Sequence, residues 1–327
     1  MSAPLRRGYT TGAHTVRAFA AALEGVLATG ERTQAITHKM DNDDLDVTKG
    51  CEIVVTLSPH LEELNRNPIP HTPYTIGTLS LYAGIGVGVV TRPGLKPPVG
   101  YPAINPTPLA KLEAIYHQCD HPARDRSPLY GTVSVTDGEA LARQTANAKV
   151  GVLGGISILG TTGWVKPVSS DAWLDSIRSE VSFLVANGYD TAVLTLGNAS
   201  LTEAQKHYPP EQIVEVGNFV HDALAIVRDQ GIARVLFVCG IAKAVKVMQG
   251  HRNTHNRFGQ IDLTALAGQI HHELSINVSV EQTRTVKGLV TQLGDRREDL
   301  YCFVEQEATT MLERWFPDLD IAMRIVR

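Results

Sequence analysis

Apolar and polar positions in the first half of the chain predict an alternation of helices and strands that is interrupted by proline-rich segments. Residues 13–27 carry Ala, Leu, Val and Phe at helical spacing, and Thr10 or Thr11 is placed to cap the helix. The remaining predicted elements of this half are strands over 51–57, 87–91 and 132–136 and helices over 109–118 and from Asp137 to 147. Six prolines in residues 93–108 and four in 59–73 predict extended, non-helical connections there.

From residue 149 onward the pattern becomes more regular, with short apolar runs that alternate with longer amphipathic ones. The apolar runs predict strands over 150–153, 191–196, 234–238 and 321–326. Between them the sequence predicts a helix opened by Ser169-Ser170-Asp171 and helices over 218–230, 242–249, 263–272, 283–293 and 299–316. We therefore predict an α/β protein in which an N-terminal α+β domain (1–148) precedes a Rossmann-like layered α/β domain with a mostly parallel sheet (149–327).

Composition narrows the function classes. The 327 residues have a net charge of −4, and this charge argues against a general nucleic-acid binder. The four cysteines are far apart, which favours a reducing compartment, and we find neither a signal-type segment nor an apolar run of about 18 residues. We expect a cytoplasmic protein without nucleic-acid or membrane partners, and a homo-oligomer is compatible with the sequence.

Two glycine-containing loops are candidate ligand sites because each follows a predicted strand, where α/β sheets bind ligands. The first is residues 151–163 and the second is Gly197-Asn198. The alternative is that both are turns between core elements. Neither loop matches the phosphate-binding G-x-x-x-x-G-K-[ST] pattern, and the first fits G-x-G-x-x-G poorly. The residues predicted to bind a cofactor are Gly154, Gly155, Ser157, Gly160, Thr161, Thr162, Gly197 and Asn198.

Charged clusters give less specific signals. Lys243 and Lys246 would share one helix face. The alternatives are a cationic face that binds a ligand and an ordinary solvated face. His251 and His255 are four residues apart, but the intervening Asn-Thr favours a loop, so we predict no metal site. The aspartates of residues 41–46 do not form a calcium loop, because the glycine and the glutamate that such a loop requires are not at the right positions. Hydrolase signatures of the G-x-S-x-G and H-E-x-x-H types do not occur.

The order of several blocks resembles the cobalt-precorrin-5B C1-methyltransferase family of anaerobic cobalamin biosynthesis. The first block is Gly8-Tyr9-Thr10-Thr11-Gly12, and the most specific is Gly-Gly-Ile-Ser-Ile-Leu-Gly-Thr-Thr-Gly at 154–163. The other blocks that carry the resemblance are 43–50, 86–95, 102–106, Gly197-Asn198, 217–220, and Lys243 with Asn253-Thr254-His255.

The resemblance implies transfer of a methyl group from S-adenosylmethionine to ring carbon C1 of a cobalt-containing tetrapyrrole. Such a transfer chiefly requires alignment of the donor with the carbon nucleophile. By position in the blocks, the substrate-binding candidates are Tyr9, Thr10, Thr11, Asp46, Thr48, Arg92, Asn105, Asn253 and Thr254. Candidates for the substrate carboxylates are Arg6, Arg7, Arg92, Lys96, Lys243 and Arg252. The candidate catalytic residues are His14, Lys243 and His255, and His255 could instead cap a loop.

The sequence also departs from the family's usual blocks. Ala13-His14 stands where Thr-Cys or Ser-Cys is usual, Leu109 stands where Arg is usual, and Lys243 alone remains of a Gly-His-x-Gly-Lys element. These changes keep a second hypothesis open, that of a non-catalytic relative which binds or carries a tetrapyrrole. A nucleotide-binding oxidoreductase is a third hypothesis, which rests on fold analogy alone.

Overall fold

The computed structural model describes residues 6–43, 46–121, 124, 127–160, 163–165 and 170–327. Its contacts divide the chain into a first unit, Met1–Ser170, and a second unit, Asp171–Arg327. Within the described residues, no helix is long and apolar enough to cross a membrane.

The first unit is built on a five-stranded mixed sheet in the order β2-β3-β8-β5-β4. Its strands are β2 (Thr33–His38), β3 (Glu52–Ser58), β4 (Tyr74–Ile76), β5 (Leu79–Ala83) and β8 (Leu129–Val135). Only the β5–β8 pair is parallel. Helix α1 (Thr11–Thr29) packs on β2 and β3 and contacts α2 (Pro106–Gln118), and the core between them includes Phe19 and Leu23.

Three two-stranded ladders extend this unit and explain its boundary. They join β1 (Gly8–Tyr9) with β11 (Trp164–Val165), β6 (Gly86–Val87) with β10 (Gly155–Ile156), and β7 (Val89–Val90) with β9 (Val152–Leu153). The division of contacts therefore falls after Ser170 rather than at the predicted residue 148. The glycine-rich segment belongs to the first unit, because its strands pair with strands from the first 90 residues.

The second unit contains a four-stranded sheet in the order β13-β12-β14-β15, and each of these pairs is parallel. Its strands are β12 (Thr191–Leu196), β13 (Ile213–Glu215), β14 (Arg234–Gly240) and β15 (Asp320–Val326). Its helices are α4 (Ser170–Ala186), α5 (Asn198–Ala204), α6 (Val220–Asp229), α7 (Ile241–Met248), α8 (Leu263–Leu274), α9 (Val286–Gln292) and α10 (Arg297–Trp315). Helix α10 packs on both α7 and β15.

Most predicted elements are confirmed to within a few residues, and strand β12 has the predicted bounds. The chain is a mixed α/β protein: the main sheet of the first unit is mixed, and the strand pairs of the second unit's sheet are parallel. The helix predicted from Asp137 to 147 is shorter, namely α3 (Gly138–Ala142). The predicted strand over 87–91 is broken into β6 and β7 at Gly88, whose added Cβ would lie 2.4 Å from the Val152 side chain.

Candidate functional site

The opening block of the chain lies against the glycine-rich block in the first unit. The backbone N–H of Gly12 donates to Leu159 O at 2.8 Å, and the Leu159 N–H donates to Thr11 Oγ1 at 2.9 Å. The Thr10 N–H donates to Gly163 O, and the Thr10 side chain caps α1 by accepting from the Ala13 N–H. The structure thus brings together two blocks that are about 150 residues apart in sequence.

Internal packing already requires several glycines of this segment. An added Cβ at Gly155 would lie 2.3 Å from the Gly86 carbonyl, and one at Gly160 would lie 2.3 Å from Thr10 Oγ1. Gly154 accepts a hydrogen bond from the buried Asn67 side chain through its carbonyl. The Ser157 hydroxyl donates to Asn147, and Thr161 and Thr162 lie outside the described residues. A ligand role for this segment remains a prediction, and close packing accounts for the glycines without it.

His14 lies on α1 and is almost completely buried. Its Nε2 accepts from the Met40 N–H at 3.4 Å, so the neutral ring carries its hydrogen on Nδ1. Desolvation lowers the pKa of His14, and the nearby charges of Lys39, Arg17 and His38 lower it further. We therefore expect a neutral imidazole at pH 7.

Asp46 and Thr48, both predicted to bind substrate, are engaged in a local turn. Asp46 Oδ1 accepts from the Thr48 N–H at 2.9 Å and from the Thr48 hydroxyl at 2.6 Å. The other oxygen pairs with the buried ammonium of Lys39, and hydrogen bonds from Lys39 and Thr48 lower the pKa of Asp46 against the opposing effect of burial. These contacts tie the turn at Asp46 to Lys39, which directly follows strand β2.

A cavity of about 480 Å³ opens beside His14. It is lined by Tyr9, Ala13, His14, Arg17, Ile36, Thr37, His38 and Met40. The Tyr9 ring packs against Trp164 with centroids 4.3 Å apart, and it meets the edge of His14 at 6.0 Å. Tyr9 and His14 were predicted from their block, whereas Arg17, His38 and Trp164 were missed because nothing in the sequence distinguishes them from surface residues.

A second cluster lies at the carboxyl edge of the parallel sheet. Lys243 Nζ donates to Asn218 Oδ1 at 2.5 Å and to Thr254 O at 3.2 Å. The buried Thr254 donates from its hydroxyl to Asn218 Oδ1 at 3.0 Å. Burial and the neighbouring Lys246 lower the pKa of Lys243. The cluster therefore joins three separate blocks of the chain. Lys243, Asn253 and Thr254 of these blocks were predicted to be site residues, whereas Asn218 was not.

Lys246 and His255 lie beside this cluster, and their contacts are structural rather than catalytic. Lys246 is buried and donates to Thr254 O, Asn256 Oδ1 and Gly259 O at 2.8–3.0 Å. This position excludes the predicted solvated face for Lys246. His255 is exposed and accepts from the Arg257 N–H, so it caps a short 3₁₀ turn. The described residues contain no group of His, Cys, Asp or Glu that could hold a metal ion.

The strand order of the second unit indicates where a ligand would bind. Strands β13 and β14, which follow β12 in the chain, lie on opposite sides of it, so the strand order reverses at β12. In open α/β sheets, ligands bind outside the carboxyl ends of the strands at the point where the order reverses. Here the point lies between the ends of β12 and β14, where Gly197 and Gly240 stand. An added Cβ at either glycine would have nothing within 4 Å, and Gly197 has a φ of +92°. Asn218 could have been found from the sequence, since its Gly-Asn pair repeats the pattern of Gly197-Asn198.

The remaining candidates have structural contacts or are surface residues. Arg6 forms ion pairs with Asp41 and Asp43 at 3.1 and 3.0 Å. The Asn105 N–H donates to Ile158 O, and Asn253 Oδ1 accepts from the His255 N–H. The other candidates lie partly or fully exposed, namely Arg7, Arg92, Lys96, Asn198 and Arg252.

Cysteine chemistry is disfavoured at the two buried cysteines, Cys51 and Cys239. Burial raises the pKa of Cys51 to about 11 and that of Cys239 to about 12. A thiolate nucleophile therefore has no support at these positions.

Comparison with known proteins decides the family. The CbiD family model matches residues 25–167. The cobalt-precorrin-5B C(1)-methyltransferase of Geotalea daltonii is 34% identical over 80% of this chain and 79% of its own length. The enzyme of the same name from Geobacter sulfurreducens is 37% identical over 94% of this chain and 93% of its own. The chain belongs to the cobalt-precorrin-5B C1-methyltransferase family.

A crystal structure of the family is also similar to this chain. It is the cobalamin biosynthesis protein CbiD from Archaeoglobus fulgidus, which is 23% identical and covers 84% of this chain and 86% of its own, with a TM-score of 0.35. Both clusters described above contain blocks by which the sequence resembles the family. The position of the usual family cysteine is held by His14, whose Nε2 bonds to the backbone.

Proposed function

We propose that this protein transfers a methyl group from S-adenosylmethionine to C1 of cobalt-precorrin-5B, which gives cobalt-precorrin-6A in anaerobic cobalamin biosynthesis. The observation that carries the proposal is the 34–37% identity to enzymes of that name over 80–94% of this chain. The two clusters support it, because family blocks distant in sequence converge in each of them.

We infer that the second unit, as a Rossmann-like fold, holds the methyl donor. The open backbone at Gly197 and Gly240 fits a ligand that lies against the strand ends. The hydroxyl of Thr195 is fully buried and has no hydrogen-bond partner in the described part of the chain, so a polar ligand atom near this edge would satisfy it. When bound, S-adenosylmethionine supplies a methyl group already activated on a sulfonium.

Lys243 gives this site its charge. Two of its three ammonium hydrogens are used by Asn218 and Thr254, which leaves one for a carboxylate such as that of the methionine moiety. The burial that lowers the pKa of Lys243 also strengthens such a bond by reducing solvent screening.

His14 would act on the acceptor in the first unit. Its Nε2 is occupied by the Met40 N–H, so the Nδ1 hydrogen is the group with which a neutral ring can orient a ligand oxygen. We assign it a positioning role, because Nε2 would have to give up its backbone bond to accept a proton.

Calorimetry with S-adenosylmethionine, followed by an anaerobic assay on cobalt-precorrin-5B, tests the proposal. We expect saturable donor binding and a mass gain of one methyl group on the tetrapyrrole. Lys243→Met should weaken donor binding by about tenfold, the value of one charge-assisted hydrogen bond. Lys206→Met, at an exposed lysine paired with Glu203, is the matched control. Tetrapyrrole binding without methyl transfer would instead support the carrier function.

A further inference from the structure

The cavity beside His14 is surrounded by large apolar side chains that remain exposed. Tyr9, Ile36 and Met40 line it and are 37%, 52% and 48% exposed, and Trp164, which packs on the Tyr9 ring, is 49% exposed. Isolated exposed apolar residues are ordinary, but a cluster of them around one opening marks a binding surface.

The aromatic pair in this cluster is held in place by the backbone. Tyr9 and Trp164 are register partners in the β1–β11 ladder, and the Thr10 N–H donates to Gly163 O directly beside it. Their rings lie at 37° with centroids 4.3 Å apart. The aromatic surface is therefore ordered before any ligand arrives, which reduces the entropy lost on binding.

One cation at this cavity is uncommitted. Arg17 is exposed and, within the described residues, it forms no ion pair or hydrogen bond, whereas Arg6, Arg178, Arg228 and Arg234 each pair with an aspartate. The other lysine or arginine beside His14, Lys39, is already paired with Asp46, and His38 lies 3.3 Å from Glu52. An unpaired guanidinium at the edge of an apolar surface is suited to a ligand that is flat and carries carboxylates.

We propose that this cavity binds an edge of the tetrapyrrole, with the macrocycle against Tyr9 and Trp164 and a peripheral carboxylate on Arg17. The identity of the macrocycle rests on the proposed function. The assignment of Arg17, Tyr9 and Trp164 to one subsite rests on the geometry of the first unit.

Calorimetry with cobyrinic acid, a cobalt corrin rich in carboxylates, and with its neutral methyl ester tests the two contacts separately. Arg17→Gln should weaken binding of the acid by about tenfold and leave the ester within twofold, because only the acid offers a charge. Trp164→Leu should weaken both ligands, and Trp164→Phe should restore most of the affinity. Arg32→Gln, at an exposed arginine after the end of α1, is the matched control.

Equal affinity of Arg17→Gln and wild type for the acid would overturn the carboxylate assignment. Unchanged binding of both ligands by Trp164→Leu would place the macrocycle elsewhere. Methyl transfer by the wild type with either of these results would leave the proposed function intact. Arg17-dependent binding without methyl transfer would support the subsite and contradict the activity.

Discussion

At the scale of single residues, burial decides what the candidate side chains can do. Lys246 looked like a surface lysine in the sequence, but its three hydrogen bonds to oxygens of residues 254–259 make it the anchor of that loop. Arg17 shows the opposite case, since an ordinary arginine on an amphipathic helix has no acidic partner in the described structure. The local sequence does not predict whether either cation is paired, because pairing depends on which distant oxygens the fold brings near.

His14 gives a prediction about pH. An unfolded histidine titrates near its ordinary pKa of about 6.5, whereas burial and the facing cations Lys39, Arg17 and His38 lower the pKa of folded His14. Above pH 7.5 both states are neutral and the group contributes nothing. As the pH falls through about 6.5, the unfolded chain binds a proton that the folded protein resists, so stability is lost until the pH passes below the folded pKa.

His14→Gln should therefore lose less unfolding free energy than the wild type between pH 7.5 and pH 5.5. Urea denaturation at the two pH values measures the difference. His60→Gln, at an exposed histidine, should behave as the wild type does. An unaltered pH dependence in His14→Gln would show that His14 is not the titrating group.

At the scale of elements, a strand or helix was predictable when its own pattern was strong. Strand β12 is a continuous apolar run and was predicted with its observed bounds. Strand β2 was missed because Thr33–His38 is largely polar, and it pairs with β3 alone at the sheet edge. The contacts divide the chain after Ser170 rather than at 148, because residues 152–165 form strands by pairing with distant partners, which local periodicity cannot reveal.

Close backbone approach in these ladders gives an element-scale prediction. A Cβ at Gly155 would lie 2.3 Å from the backbone of Gly86, which cannot move without breaking the β6–β10 pair. We expect Gly155→Ala to lower the unfolding free energy by about 2 kcal/mol or more. Gly268→Ala, within α8 and with nothing within 4 Å, should raise it by about 0.5–1 kcal/mol. Denaturant unfolding checks both, and equal effects would contradict the packing argument.

At the scale of the whole molecule, the protein and its proposed ligand repel each other, because both carry net negative charge. The chain carries −4, and a polycarboxylate tetrapyrrole is also negative. Attraction must then come from a few local cations such as Arg17. At long range the net charge of the molecule sets a repulsion. This repulsion reaches about 30 Å at 0.01 M salt but only about 8 Å at 0.15 M.

The association rate of cobyrinic acid should therefore rise as salt increases from about 0.01 to 0.15 M, since screening removes the long-range repulsion. The dissociation rate should rise over the same range, because salt also screens the contact between Arg17 and a carboxylate. In Arg17→Gln the association rate should still rise, while the dissociation rate should depend less on salt. Stopped-flow measurements separate the two rates. An association rate that falls with salt would mean that cations around the cavity, rather than the charge of the whole molecule, set the field that the ligand meets.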